Sequence, residues 1–61
     1  MTITVVIRND DATRSLIVET IERDRDTDRK RTTMTQDIQP GNSATFHVYL
    51  LRDLLVREKL P

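Results

Sequence analysis

Five cations fall within nine residues of this chain: Arg23, Arg25, Arg29, Lys30 and Arg31. Arginine grips phosphate through two parallel N–H···O bonds. The cluster is therefore the best candidate in the chain for recognising an anion, a nucleotide or a nucleic acid. Glu22, Asp24, Asp26 and Asp28 interleave with it and leave residues 22–31 at a net charge of +1. The competing reading of the same residues is a solvated hairpin tip whose charges cancel. Nucleic-acid surfaces combine basic stripes with stacking aromatics, and Tyr49 is the candidate stacker here.

Two other constellations have the right residue types for chemistry and lack its context. Asp24, Asp26 and Asp28 alternate as at the start of a calcium loop, which needs Gly at its sixth place and Glu at its twelfth. Those places hold Arg29 and Thr35. His47, Ser43 and Asp37 or Asp53 are the types of a nucleophilic triad, but a triad also needs an oxyanion hole and a shaped cleft. A chain of 61 residues has little material to enclose one, and Ser43 fits turn chemistry. No enzymatic activity and no catalytic residue are expected. With one histidine and no cysteine there is no zinc site, and neither a metal nor a cofactor is expected.

Ten basic and ten acidic side chains balance overall but not locally. Residues 1–28 carry four basic and seven acidic side chains, a balance of −3; residues 29–61 carry six and three, +3. Adjacent strands can cancel such halves, or the halves can form a bipolar surface suited to self-association or to an anionic ligand at the basic pole. One small domain, residues 1–61, is expected, near the lower limit of independent stability. Disulfides and structural metal being absent, oligomerisation is the remaining device for such a domain, and a homo-oligomer is expected. The start of the chain has the pattern of a strand and not of a signal peptide. No apolar run approaches the ~18 residues of a membrane span. A soluble protein of a cell's or an infected cell's cytoplasm is expected, with a virion as the other location.

The elements that must position these groups read as strands. Residues 2–8 alternate, with Ile3, Val5 and Ile7 on one face. Residues 9–12 form a polar turn. Residues 14–23 put Leu16 and Val18 on one face and Ile17 and Ile21 on the other, so both faces are expected to be partly covered, one by a second subunit. Residues 22–31 contain no apolar side chain and read as the tip of a long hairpin. Residues 32–38 give a third strand with Met34 and Ile38 inward. Pro40 presets φ for the second position of a turn and Gly41 tolerates φ > 0 at the third, so residues 39–42 read as a type II turn. Ala44, Phe46, Val48 and Leu50 then share one face, with Thr45, His47 and Tyr49 opposite. Residues 52–60 alternate as a fifth strand would, yet Leu50, Leu51, Leu54, Leu55 and Glu58 also fit a short helical stripe; Val56 and the β context favour the strand. The expectation is all-β: a small antiparallel sheet or sandwich of four to five strands. The apolar stretch of residues 50–56 exceeds what a thin core needs, and Ile17, Ile21, Leu51 and Leu55 are the candidate oligomer-interface residues.

Ile38-x-Pro40-Gly41-x-Ser43-x-x-Phe46-x-Val48, followed by Leu54-x-Val56-x-Glu58, resembles the second half of short β proteins encoded by tailed phages and prophages. The resemblance covers about the last 24 residues well and the first strand loosely. It implies a compact β fold, commonly without an assigned activity, and transfers no functional residue. It also implies a non-enzymatic accessory role: blocking or sequestering a host component, evading host defence, or decorating a virion. The expected partners are another copy of the chain and an anionic nucleotide or oligonucleotide, or a host protein. No membrane is expected among them. Arg23, Arg25, Arg29, Lys30, Arg31 and Tyr49 are the candidate ligand-binding residues.

Overall fold

The computed structural model describes residues 1–60 of the chain. Five antiparallel strands follow one another with no helix: β1 (Ile3–Arg8), β2 (Leu16–Arg23), β3 (Lys30–Ile38), β4 (Ser43–Val48) and β5 (Arg52–Glu58). β1 pairs with β4, and β2 lies at the centre of a second sheet in the order β3-β2-β5. The segment that fits both a strand and a helix is β5; main-chain pairing from Leu16↔Glu58 to Glu22↔Arg52 decides it. No helix long and apolar enough to cross a membrane is present among the described residues.

The two sheets touch through a small apolar contact. Val18 and Ile38 from the three-stranded sheet meet Phe46 from β4, with Ile7, Leu16, Ala44 and Leu54 packed around them. The Cα radius of gyration is 12.8 Å, against about 10.5 Å for a compact chain of this length. The described residues measure 42 × 26 × 11 Å, an elongated and flat arrangement of strands.

Turn chemistry holds the layers in place. Gly41 has φ 82°, and the Asn42 N–H donates to the Gln39 carbonyl at 3.0 Å, the type II geometry that Pro40-Gly41 predicts. Asn9 ties this turn to the rest of the molecule. Its side chain is buried, and Nδ2 donates to the carbonyls of Arg14 at 2.7 Å and Ile38 at 3.0 Å. Its Oδ1 accepts the Asp11 N–H at 3.0 Å. The Asn9 N–H donates to Asn42 and its carbonyl accepts from Gly41, each at 2.9 Å. One asparagine thus joins the end of β1, the entry to β2, the end of β3 and the β3–β4 turn. Asp11 caps the same loop by accepting the N–H groups of Thr13 and Arg14, which hold its carboxyl below the usual aspartate range.

β1, β2 and β5 are each one or two residues shorter than the sequence expectation, and two further boundaries differ from it. β3 begins at Lys30 and not at residue 32, because Arg23↔Lys30 and Glu22↔Arg31 continue the ladder; backbone pairing needs no apolar side chains. β4 stops at Val48. The Arg52 N–H donates to the Tyr49 carbonyl at 2.8 Å, closing a turn in which the chain passes from one sheet to the other. Leu50 therefore leaves the inward face of β4 and is 78% exposed. A third irregularity lies within β3: the register shifts opposite Thr20 and Ile21, leaving Thr33 as a bulge that twists this edge strand.

Candidate functional site

The β2–β3 hairpin carries the candidate cations. Its loop closes where the Asp24 N–H donates to the Arg29 carbonyl at 2.8 Å and the Asp28 N–H to the Asp24 carbonyl at 2.9 Å. Asp28 takes φ 56°, a left-handed conformation that aspartate tolerates better than most side chains. The Asp24 carboxylate accepts the Asp26 N–H at 2.9 Å. The Asp24 carboxylate thus has local structural work, and the basic residues follow directly along β3.

Ion pairing separates the chain's cations into two groups. Six of the ten pair with acids: Arg8–Asp10, Arg14–Glu58, Arg23–Asp53, Arg52–Glu22, Arg57–Glu19 and Lys59–Asp37. The four without an ion pair among the described residues are Arg25, Arg29, Lys30 and Arg31, all on this hairpin. Arg29, Lys30 and Arg31 line one open concavity of about 450 Å³ together with Glu22, Arg23 and Asp24. Arg25 is at the loop tip, outside it.

Arg23 and Tyr49, also candidate ligand residues, are engaged within the chain. Arg23 Nη2 donates to the Leu50 carbonyl at 3.0 Å, and its N–H to the Leu51 carbonyl at 2.8 Å. Its Nε is buried 3.4 Å from Asp53 Oδ2, an ion pair that is not a hydrogen bond. Arg23 thereby clamps the β4–β5 turn to β2. Tyr49 turns one ring face to the Arg52 guanidinium, 4.5 Å from the centroid, and donates to Glu22 Oε1 at 3.4 Å. One face of the ring is thus already occupied by a cation.

Sequence reasoning missed the node that organises this end of the molecule. Glu22 lies between its cross-strand neighbours Arg31 and Arg52, and Arg52 reaches its Oε1 through Nη2 at 2.7 Å and Nε at 3.2 Å. Hydrogen bonding to Arg52, against some desolvation, holds the Glu22 carboxyl below its ordinary value of 4.5 and raises the Arg52 guanidinium. The residues are 30 positions apart, so spacing alone offered no signal.

Beyond Arg52 lies a second, smaller concavity of about 180 Å³ between the sheets. It runs along the side of β4 that pairs with no strand, so it touches both Phe46, which faces the other sheet, and His47, which faces away. Thr20, Thr33, Met34 and Gln36 form the opposite wall.

The structure does not assemble the triad types. His47 lies 3.5 Å from Thr4 Oγ1 on the exposed side of β4, and Ser43 is four residues back along the strand, about 13 Å away. Asp37 and Asp53 belong to the other sheet and are paired with Lys59 and Arg23. Of the interface candidates, Ile17, Ile21 and Leu55 share the outer face of the three-stranded sheet. Ile17 is 8% exposed in the single chain and has little surface left to offer; Ile21 and Leu51 are half-buried, and Leu55 is exposed. No protein-family model matches the chain, and no curated protein or solved structure shows significant similarity to it.

Proposed function

We propose that this chain is a non-enzymatic binding protein that captures an anionic, phosphate-bearing ligand on the β2–β3 hairpin and acts as a homo-oligomer. In the phage setting that its resemblance implies, the ligand is a nucleotide or oligonucleotide signal of host defence, sequestered in the host cytoplasm. One observation supports this most: the four cations without ion pairs all belong to one hairpin, and three of them line a single concavity. Elsewhere the protein neutralises its cations internally; here it leaves them available to an external anion. Arg29 and Arg31 supply bidentate donors and Lys30 a mobile point charge.

The oligomeric part rests on the thin core and on the apolar side chains left outside it. Ile3, Val6, Leu55 and Val56 are exposed in the single chain. The test is a thermal-shift and titration series against nucleotides and short oligonucleotides, with the mass in solution measured alongside. A ligand raises the melting temperature by mass action, and its affinity falls with added salt as counterions are released. Absence of any phosphate-dependent stabilisation, or undiminished binding after removal of Arg29, Lys30 and Arg31, overturns the ligand reading. A stable monomer overturns the oligomeric part.

A second reading is supported by Leu50, which stands exposed in the β4–β5 turn beside Tyr49. In it the chain is a virion accessory or interaction subunit that meets a protein partner through this turn, without a small-molecule ligand.

A further inference from the structure

The two concavities stand on either side of the Glu22–Arg52 pair: Glu22 lines the larger and Arg52 the smaller. Along β2, Thr20 faces the smaller one, and Glu22, two residues on, faces the cations. That step is about 7 Å, so the two concavities are neighbours along one face of β2. At about 180 Å³ the smaller groove falls below the roughly 300–1,000 Å³ of a complete ligand site. It has room for one planar group of a ligand whose remainder lies outside.

Its walls suit a heterocycle that makes hydrogen bonds at its edge. Phe46, nearly buried at 7% exposure, contributes to its apolar floor, and the exposed Met34 supplies a polarisable side chain that packs well on π-systems. Gln36 offers both a donor and an acceptor. β4 pairs with β1 alone, so alternate residues at the groove turn free main-chain N–H and C=O groups toward it. A base edge needs donors and acceptors at such spacing.

We infer that the groove between β3 and β4 takes the nucleobase of a nucleotide whose phosphates are held by Arg29, Lys30 and Arg31. This rests on the anion-binding reading above and names its ligand class as a mononucleotide or a terminal nucleotide. Met34 and Gln36 are then specificity residues, not charge carriers.

The test compares affinities of the full chain for tripolyphosphate and for the four common ribonucleoside triphosphates by titration calorimetry. At least one nucleotide binds tenfold or more tightly than tripolyphosphate. Met34→Trp, which fills the groove from an exposed strand, abolishes that preference and leaves tripolyphosphate affinity unchanged. Gln36→Ala, an exposed truncation that keeps the fold, reduces the preference several-fold and changes its ranking among bases. If all four nucleotides bind no better than tripolyphosphate, or if the preference survives both substitutions, the groove assignment is wrong while the anion site stands. If neither nucleotides nor tripolyphosphate bind, both readings fall.

Discussion

Arg52 sets two guanidinium nitrogens on one carboxylate oxygen of Glu22, at 2.7 and 3.2 Å, while the same guanidinium covers the Tyr49 ring. Glu22 belongs to β2, Arg52 opens β5, and Tyr49 begins the turn between the sheets. The trio therefore fastens the β4–β5 turn to the central strand at the end that carries the unpaired cations. Because Glu22 titrates below 4.5 when folded, its contribution to stability is complete above that value and is lost as pH falls through the folded value. Glu22→Gln should lower the melting temperature near neutrality and flatten the acid limb of the pH–stability curve. A variant curve parallel to the native one at every pH would show that the Glu22 charge contributes no pH-dependent stability.

Asn9→Ala removes the partners of two carbonyls and one N–H at once. A buried orphan costs about 1–3 kcal/mol; only the Ile38 carbonyl contact is fully buried, and water can reach the other two groups, so a loss of about 2–4 kcal/mol is expected in urea unfolding. Asn9→Asp should be nearly as damaging, because a carboxylate cannot donate to the Arg14 and Ile38 carbonyls.

At Gly41 a Cβ would meet no atom within 4 Å. Any penalty for Gly41→Ala is therefore conformational, from φ 82°, and amounts to about 1–2 kcal/mol. Gly41→Asn should cost less, since asparagine tolerates the left-handed region. Equal melting temperatures for the alanine and asparagine variants would place the cost elsewhere.

Cations of the same hairpin should divide by role. Arg23→Ala loses the Leu50 carbonyl bond and the Asp53 pair and should destabilise the fold, read as a lower melting temperature. Arg29→Ala, Lys30→Ala and Arg31→Ala combined should change the melting temperature little, because none of the three makes an ion pair among the described residues. The same combination should abolish phosphate-dependent stabilisation and flatten the salt dependence of binding.

Period-two alternation made β1, β2 and β4 legible, and Pro40-Gly41 announced its turn, because strand pleat and turn geometry are local properties of the chain. Leu50 was misplaced because alternation cannot show where a strand stops; the Tyr49–Arg52 turn ends β4 two residues early. The cation cluster was visible as a run of residues. Its division into Arg23, which is structural, and Arg29, Lys30 and Arg31, which are unpaired, was not. That division depends on Asp53 and the Leu50 carbonyl, which approach Arg23 only when β5 joins β2.

Residue order alone determines that this chain is all-β, where its Pro-Gly turn lies, and that five cations cluster between residues 23 and 31. Pleat, φ preference and charge are written residue by residue, so no distant partner is needed to read them. Tertiary structure decides which cations stay free, that Glu22 and Arg52 meet, that Asn9 fastens four segments, and that a groove opens beside the unpaired edge of β4. Each of these is a contact between residues far apart in the chain, brought together by strand order and by sheet-on-sheet packing around Val18, Ile38 and Phe46.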